Sequence, residues 1–288
     1  MALHELPLEA EFLHGYFSQE LEPVLEIEPG DCVRFSVPNA GWDLAAGERF
    51  QASNPELDRG HALAGPIAVR GARAGQALAV RVDEVEVGAW GVTITVDDHA
   101  VHWELAAGVG RALGRELDLA PFLGVIGMPP PAPGVHSTIP PRRWGGNIDC
   151  KELVAGATLF LPVPVDGALF SAGDGHAAQG DGEVCGTAIE APVTAQVTLD
   201  VRDDMALDWP MAETPTHVMT MAFDPDLDTC VTIALRDMLG LIAARTGLSR
   251  QEAYALCSLA ADLRVTQVVN GAKGIHVMLE KRFLSGRA

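Results

Sequence analysis

The sequence has no apolar run long enough to span a bilayer, and it is poor in basic residues. Of its 288 residues, 20 are Lys or Arg and 39 are Asp or Glu, which gives a formal net charge of −19. Proteins that bind nucleic acid or an anionic membrane need clustered Lys and Arg to neutralise phosphates. We therefore expect neither partner, and we attribute the acidity to solubility.

Cysteine is also scarce. The five cysteines are scattered, odd in number and without a Cys-x-x-Cys pair. This pattern argues against a thiolate zinc knuckle and is typical of a reducing compartment. The first twenty residues contain four glutamates and no basic region before an apolar stretch, so they do not predict a signal peptide. We expect a soluble, cytoplasmic protein.

Glycine and proline are plentiful, with 30 and 19 residues, and they separate segments in which apolar and polar residues alternate. Alternation predicts half-buried strands, and the turns between them predict hairpins at 23–37, 65–87 and 158–175, with a further strand at 188–202. Residues 101–118 are compatible with a short helix. Residues 128–146 hold six prolines together with His136 and Trp144, which favours a long ordered loop lining a site over a flexible linker.

The C-terminal part has a different pattern. Apolar residues at helical spacing precede Thr246-Gly247, and the capping box Ser249–Glu252 predicts a second helix through about Leu263. Strands at 264–269 and 275–279 would close the chain around an Asn270-Gly271 turn. We predict a mainly β fold, sandwich- or barrel-like, with a smaller α+β C-terminal portion. Its three subdomains would cover residues 1–108, 109–203 and 204–288.

Two glycine-rich polar segments stand out, WGGNIDCKE at 144–152 and DGHAAQGDGE at 174–183. A strand pair between them would return the chain, so that both segments could meet at one end of a sheet. One imidazole with several oxygen ligands suits zinc or a harder divalent ion in an open site. The candidate side chains are Asn147, Asp149, Asp174, His176, Asp181 and Glu183.

The first segment also contains the residue types of a Cys-Glu-Lys amidase. Neighbouring residues of an extended chain point to opposite faces, so Cys150, Lys151 and Glu152 should not converge on one substrate atom. We expect Cys150 to be a buried structural thiol. A cysteine nucleophile remains an alternative to a metal centre.

The stretch from Trp144 to Pro192 closely resembles the acetamidase/formamidase family. Residues 61–80, with His61-Ala-Leu-Ala-Gly-Pro66, and residues 262–279 resemble the flanking segments of that family. The resemblance implies a β-rich fold, a homo-oligomer, a divalent metal that is often zinc, and hydrolysis of short amides to carboxylate and ammonia. Formamide, acetamide, a larger amide or a lactam would all fit.

Amide hydrolysis by metal-activated water requires metal ligands, a proton shuttle and a donor to the carbonyl oxygen. We expect Asp149 and His176 to bind the metal, with Asp174 or Asn147 completing the shell, and Glu183 to be the general acid/base. His61 and His136 are further catalytic candidates, for ligation or for polarising the carbonyl. The rival from another class is a non-catalytic β-rich protein that binds a metal or ligand on the same scaffold.

Overall fold

Alternating apolar residues form the strands of two large β-sheets in the computed structural model, which describes residues 1–285. The helices are α1 (Leu227–Thr246) and α2 (Arg250–Ala260), and two 3-10 turns cover Ala10–Phe12 and Lys281–Phe283. The strands are β1 (Leu3–Leu6), β2 (Leu13–His14), β3 (Leu25–Ile27), β4 (Asp31–Val37), β5 (Asp43–Ala45), β6 (Glu48–Arg49), β7 (Leu63–Val69), β8 (Ala77–Val87), β9 (Trp90–Ile94), β10 (Ala100–Ala106), β11 (Val109–Ala112), β12 (Arg115–Asp118), β13 (Phe122–Gly127), β14 (Gly145–Asn147), β15 (Thr158–Pro162), β16 (Phe170–His176), β17 (Glu190–Ala191), β18 (Val193–Arg202), β19 (Met211–Glu213), β20 (His217–Asp224), β21 (Ala261–Gln267) and β22 (Lys273–Glu280).

The two sheets enclose the main hydrophobic core. The nine-stranded sheet has the order β1-β4-β18-β8-β15-β19-β20-β22-β21. The eleven-stranded sheet runs β12-β11-β10-β9-β17-β16-β13-β14, and β7 pairs with β16 while carrying β2 and β3. Phe35 and Val80 from the first sheet belong to the same buried cluster as Ile67 and Phe170 from the second. The predicted mainly β architecture is confirmed.

The predicted hairpins are wrong, although their strands form. β3, β7 and β16 lie in the eleven-stranded sheet, whereas β4, β8 and β15 lie in the nine-stranded sheet. Each predicted turn therefore carries the chain from one sheet to the other. Alternation identifies which side chains are buried, but it does not identify the neighbouring strand.

The helix considered for 101–118 is also wrong. This stretch forms the antiparallel strands β10, β11 and β12. Gly108 and Gly114 adopt φ values of 77° and 65°, which tight turns require and helices do not tolerate. The glycines end each strand after a few residues.

The C-terminal α+β portion is confirmed. The Asp226 side chain caps α1 by accepting a hydrogen bond from the Thr229 N–H at 2.9 Å, and Gly247 ends the helix with φ 75°. The capping box at Ser249 opens α2, which ends at Ala260 rather than near Leu263. α1 packs against β20 and β22, and α2 packs against α1, β21 and β22, around a second apolar cluster. β21 and β22 pair as predicted, and they start earlier than expected.

Strands from all three predicted subdomains share the nine-stranded sheet. The division at residues 108 and 203 stays a prediction. Neither described helix combines the length and apolar character that crossing a membrane requires.

Candidate active site

Buried polar side chains gather at the end of β16 in the eleven-stranded sheet. Asp174 and His176 lie two residues apart on this strand, so both side chains lie on the same face. The adjacent strand β17 supplies Glu190, and the segment after β14 supplies Asp149. Glu183 enters from the loop between β16 and β17. Each of these five residues is at most 6% exposed.

His176 is the centre of the group. Its Nε2 lies 3.3 Å from Asp174 Oδ1 and 3.3 Å from Glu190 Oε2. Its Nδ1 pairs with Gln179 Oε1 at 2.9 Å. Although burial opposes the shift, Glu190 and Asp174 raise the pKa of His176 well above its usual range. The same attraction to His176, also against burial, lowers the pKa of Asp174.

Asp149 and Glu183 form a second carboxyl pair near His176. Ligand atoms of Asp149, His176 and Glu183 all lie within 4.8 Å of one another. Burial and the charge of Glu183 raise the pKa of Asp149 well above its usual range. Burial, in turn, raises the pKa of Glu183 to about 7. Two carboxyls this close and this buried hold at least one proton between them unless a cation is present.

The group contains more acceptor atoms than donors. Buried carboxylate oxygens without a hydrogen-bond partner are costly, because their desolvation is not compensated. Within residues 1–285, one oxygen of each carboxyl in the group makes no hydrogen bond: Asp149 Oδ1, Asp174 Oδ1, Glu183 Oε2 and Glu190 Oε2. Asp174 Oδ1 and Glu190 Oε2 share a single imidazole nitrogen, His176 Nε2, at 3.3 Å each. This arrangement is a cradle for a positively charged ligand.

Gly124 on the neighbouring strand β13 forms the wall of the cradle. A Cβ at this position would lie 2.8 Å from Asp149 Oδ1 and 2.9 Å from His176 Cε1, and it would also clash with Asp174. The absence of a side chain at residue 124 therefore lets the three polar groups approach one another.

The backbone is strained where it presents the acidic groups. Asp149, Asp174 and Glu183 adopt φ values of 51°, 62° and 45°. Left-handed conformations are uncommon for residues other than glycine and concentrate at functional sites. Three such residues in one group indicate that the fold holds these side chains in place against a local cost.

The C-terminal hairpin fixes both glycine-rich segments. The Gly182 N–H donates to the Thr266 carbonyl at 3.3 Å, and the Val268 N–H donates to the Gly182 carbonyl at 3.0 Å, which secures the loop that carries Glu183. Asn270 Nδ2 donates to Asp149 Oδ2 at 2.9 Å. Residues distant in sequence thus position the two acids.

The remaining predicted residues occupy different positions. His61 is partly buried, its Nδ1 pairs with Thr138 Oγ1 at 2.8 Å, and it lies close enough to Asp174 and His176 to feel their charges. Asn147 Nδ2 donates to the Ile139 carbonyl, which leaves its buried Oδ1 without a partner in the described chain.

His136 pairs with the Ala132 carbonyl in the proline-rich loop. Asp181 turns outward to Lys151 at 2.8 Å.

Sequence reasoning missed three residues of the group. Glu190 lies in the AIEAP motif, where its acidic side chain among apolar neighbours was the available signal. Gln179 bridges the two segments, because its Oε1 pairs with His176 and its Nε2 donates to the Asp149 carbonyl at 2.8 Å. Asn270 was assigned only to a turn, and its contact with Asp149 depends on the tertiary structure.

A cleft of about 430 Å³ borders the group at Glu183, the one carboxyl of the group that lines it. Gln179 and Glu183 lie at its edge, and Trp103, Leu117 and Ile189 line its apolar wall. A wider cleft of about 560 Å³ beside α1 contains three arginines that are each paired with a carboxylate. We therefore place the candidate site at the smaller cleft, where uncompensated charge and access coincide.

Comparison with known proteins assigns the chain to a family. The profile of the Acetamidase/Formamidase family matches residues 4–103 and 131–279, which include every residue of the buried group. The chain belongs to the acetamidase/formamidase family. The crystal structure of an acetamidase from Bacillus halodurans is similar with a TM-score of 0.86 and 30% identity, covering 96% of this chain and 98% of that one.

Two further relatives support the assignment. A predicted acetamidase/formamidase from Thermoanaerobacter tengcongensis has a TM-score of 0.88 at 27% identity, covering 98% of this chain and 97% of that one. An acetamidase from Mycolicibacterium smegmatis is 54% identical over 51 residues, which are 17% of this chain. That match spans only 13% of the relative's own length.

Proposed function

We propose that the protein hydrolyses the C–N bond of a short linear amide to a carboxylate and ammonia, by means of a water molecule activated by a divalent metal ion. The observation that carries the proposal is the buried group around His176, in which four carboxyls each have an oxygen without a hydrogen-bond partner. Membership of the acetamidase/formamidase family supports the reaction class.

The donor set fits a divalent cation, and zinc is our first candidate. One imidazole nitrogen and several carboxylate oxygens are ligands that zinc accepts. Asp174, His176 and Glu190 have ligand atoms within 4.8 Å of one another, as do Asp149, His176 and Glu183. We propose Asp149, Asp174 and His176 as ligands with Glu190 beside them. The buried Oδ1 of Asn147 is a further oxygen ligand.

A bound divalent ion would polarise the amide carbonyl and lower the pKa of a water molecule to about 7. Glu183 would remove a proton from this water and deliver it to the departing nitrogen. A general acid/base is most effective when its pKa lies near the working pH. Burial gives Glu183 such a pKa, about 7, and its place at the edge of the cleft gives it access to substrate.

The neighbouring residues would orient the reactants. Gln179 pairs with His176 Nδ1 and so directs Nε2 toward the carboxylates, a common arrangement around metal-binding histidines. We propose His61 as the hydrogen-bond donor to the carbonyl oxygen, since it lies beside Asp174 and is held by Thr138. His136, bonded within the proline-rich loop, would act further out along the substrate path.

Metal removal tests the proposal. Treatment with a chelator should abolish ammonia release from formamide and acetamide, and added zinc should restore it. Full activity in a sample shown by elemental analysis to be metal-free would exclude the metal mechanism. A metal-loaded sample that releases no ammonia from any of a panel of small amides would instead favour the non-catalytic binding protein.

A cysteine nucleophile is the second candidate mechanism. It is favoured by the contact of Cys150 Sγ with Glu152 Oε2 at 3.4 Å. Against it, Lys151 pairs with Asp181 instead, and burial raises the pKa of the Cys150 thiol well above its usual range, which disfavours the reactive thiolate. Inactivation by iodoacetamide but not by chelators would support this alternative.

We also propose a homo-oligomer and a cytoplasmic location, both from the family resemblance and the cysteine pattern. Light scattering during size-exclusion chromatography measures the first. Fractionation of the source cells measures the second.

A further inference from the structure

A second buried group of metal-binding residue types lies next to the proposed catalytic centre but shares no residue with it. Cys150, Glu152 and His276 each place a ligand atom within 4.8 Å of the other two. Cys150 and His276 are 1% exposed, and the Glu152 side chain is 11% exposed. Sulfur, oxygen and nitrogen donors thus face one another inside the protein.

Two distant segments build this group. Cys150 and Glu152 lie in a turn closed by the Leu153 N–H, which donates to the Cys150 carbonyl at 3.0 Å. The turn brings Cys150 Sγ to 3.4 Å from Glu152 Oε2, while Lys151 pairs with Asp181. His276 lies in β22, paired in register with Arg264 of β21. The group therefore joins the central glycine-rich segment to the C-terminal hairpin.

His276 and Glu152 each have a second polar atom that faces away from the group and is held by a hydrogen bond. His276 Nδ1 pairs with Thr266 Oγ1 at 2.9 Å, and Arg264 Nη1 donates to Glu152 Oε1 at 3.0 Å. Histidine and carboxylate ligands of metals are commonly oriented in this way through their second polar atom. The arrangement leaves His276 Nε2 and Glu152 Oε2 facing each other at 3.2 Å.

The inward atoms lack good hydrogen bonds of their own. His276 Nε2 is buried without a hydrogen-bond partner among the described residues. Cys150 Sγ donates only a long contact, 3.4 Å, to Glu152 Oε2. A buried imidazole nitrogen whose nearby acceptor, Glu152 Oε2 at 3.2 Å, makes no well-formed hydrogen bond with it is costly in an apolar interior unless a ligand satisfies it.

We propose that Cys150, Glu152 and His276 bind a zinc ion at a site separate from the catalytic centre. Zinc accepts thiolate, imidazole and carboxylate ligands together, whereas calcium and magnesium require oxygen ligands. On binding, the Cys150 thiol releases its proton to solvent, so a thiolate, a carboxylate and a neutral imidazole surround the dication. The ion would fasten the C-terminal hairpin to the central segment.

The site does not depend on the proposed metal-dependent hydrolysis, because none of its ligands takes part in that mechanism. It excludes the alternative mechanism, in which Cys150 is the nucleophile. Binding of the zinc ion would nevertheless affect the catalytic centre indirectly, through the C-terminal hairpin. The hairpin that carries His276 also carries Thr266 and Asn270, which contact Gly182 and Asp149.

Cobalt substitution tests the proposal, because only a thiolate ligand gives a cobalt(II) complex an intense near-ultraviolet charge-transfer band. The full-length protein, depleted of metal and loaded with Co²⁺, should show this band. Cys150→Ser should lose the band while Co²⁺ still binds at the His176 group. Cys257→Ser, which alters another buried cysteine in α2, should keep it.

Two results would overturn the proposal: cobalt-loaded wild type without the band, or a band that survives Cys150→Ser. If Cys150→Ser does not fold, X-ray absorption of the zinc-loaded wild type decides the matter. A sulfur neighbour at about 2.3 Å from zinc supports the site, and a shell of only nitrogen and oxygen overturns it. Neither readout involves amide hydrolysis, so the result is independent of the catalytic mechanism.

Discussion

Two buried histidines are associated with β16, and their surroundings differ sharply: His176 belongs to the strand, and His14 of β2 contacts Ser171 on it. His14 is 5% exposed and is fully paired, with Tyr16 carbonyl at 2.6 Å and Ser171 Oγ at 2.9 Å. His176 is 1% exposed and lies among four carboxyls whose oxygens are only partly paired. Burial lowers the pKa of His14 to about 4, whereas neighbouring acids raise the pKa of His176 despite burial.

The comparison separates a structural histidine from a functional one. Both side chains are buried, His14 on β2 and His176 on β16, so burial does not distinguish them. The difference lies in uncompensated charge, which a structural site avoids and a ligand site requires. Removing a side chain from the buried group around His176 should therefore lower activity. Removing His14 or its partner Ser171, which we call the His14 side, should change the stability of the fold.

The largest expected effect comes from Glu183→Gln, which retains the shape of the side chain but removes its acid/base capacity. Ammonia release should fall by about 10²–10⁴-fold, the usual contribution of a positioned acid/base. Metal content by elemental analysis should stay unchanged. Asp181→Asn is the matched control, since Asp181 lies two residues away and pairs with Lys151 at the surface. A Glu183→Gln enzyme with normal turnover would remove Glu183 from the mechanism.

Gly124→Ala should damage the same region through geometry alone. The added methyl group would lie within 3 Å of Asp149 and His176 and displace them, which should weaken metal binding by about 10–100-fold. Titration with zinc and the amide assay measure the loss. Gly180→Ala is the control, because a Cβ at residue 180 meets no heavy atom within 4 Å. Equal metal affinity in the two variants would show that the cradle does not need Gly124.

The lowered pKa of His14 predicts that the stability of the fold depends on pH. An unfolded chain protonates His14 near pH 6.5, but the folded protein resists protonation until about pH 4. The free energy of unfolding should therefore decrease as pH falls from 6.5 to 4, by about 3 kcal/mol from this residue. His14→Gln should lose that part of the pH dependence, measured by urea unfolding at several pH values. Exposed His99→Gln should retain it, and identical profiles for wild type and His14→Gln would contradict the prediction.

The smallest effect is expected for Ser171→Ala. The hydroxyl is the partner of His14 Nε2, and its loss leaves a buried nitrogen unpaired at a cost of about 1–3 kcal/mol. The melting temperature should fall while turnover per folded molecule stays constant. A variant that loses turnover without losing stability would place Ser171, and with it the His14 side, in the catalytic apparatus.

Prediction from sequence worked where local chemistry determines the outcome. The helix stop at Gly247, the capping box at Ser249 and the Asn270-Gly271 turn depend on neighbouring residues, and the C-terminal helices form as the pattern indicates. The residues Asp149, His176 and Glu183, chosen from two glycine-rich segments, do meet in one buried group. Prediction failed for strand pairing, because an alternating strand can join either sheet.

The sequence by itself determined that the protein is rich in strands, that it ends in two helices and a hairpin, and which two polar segments carry the candidate chemistry. These properties follow from periodicity and turn residues, which act over a few positions. Only the tertiary structure decided that Glu190, Gln179 and Asn270 complete the His176 group, and that His276 meets Cys150 and Glu152. Contacts between residues far apart in the chain depend on how the two sheets pack, and no local pattern encodes that packing.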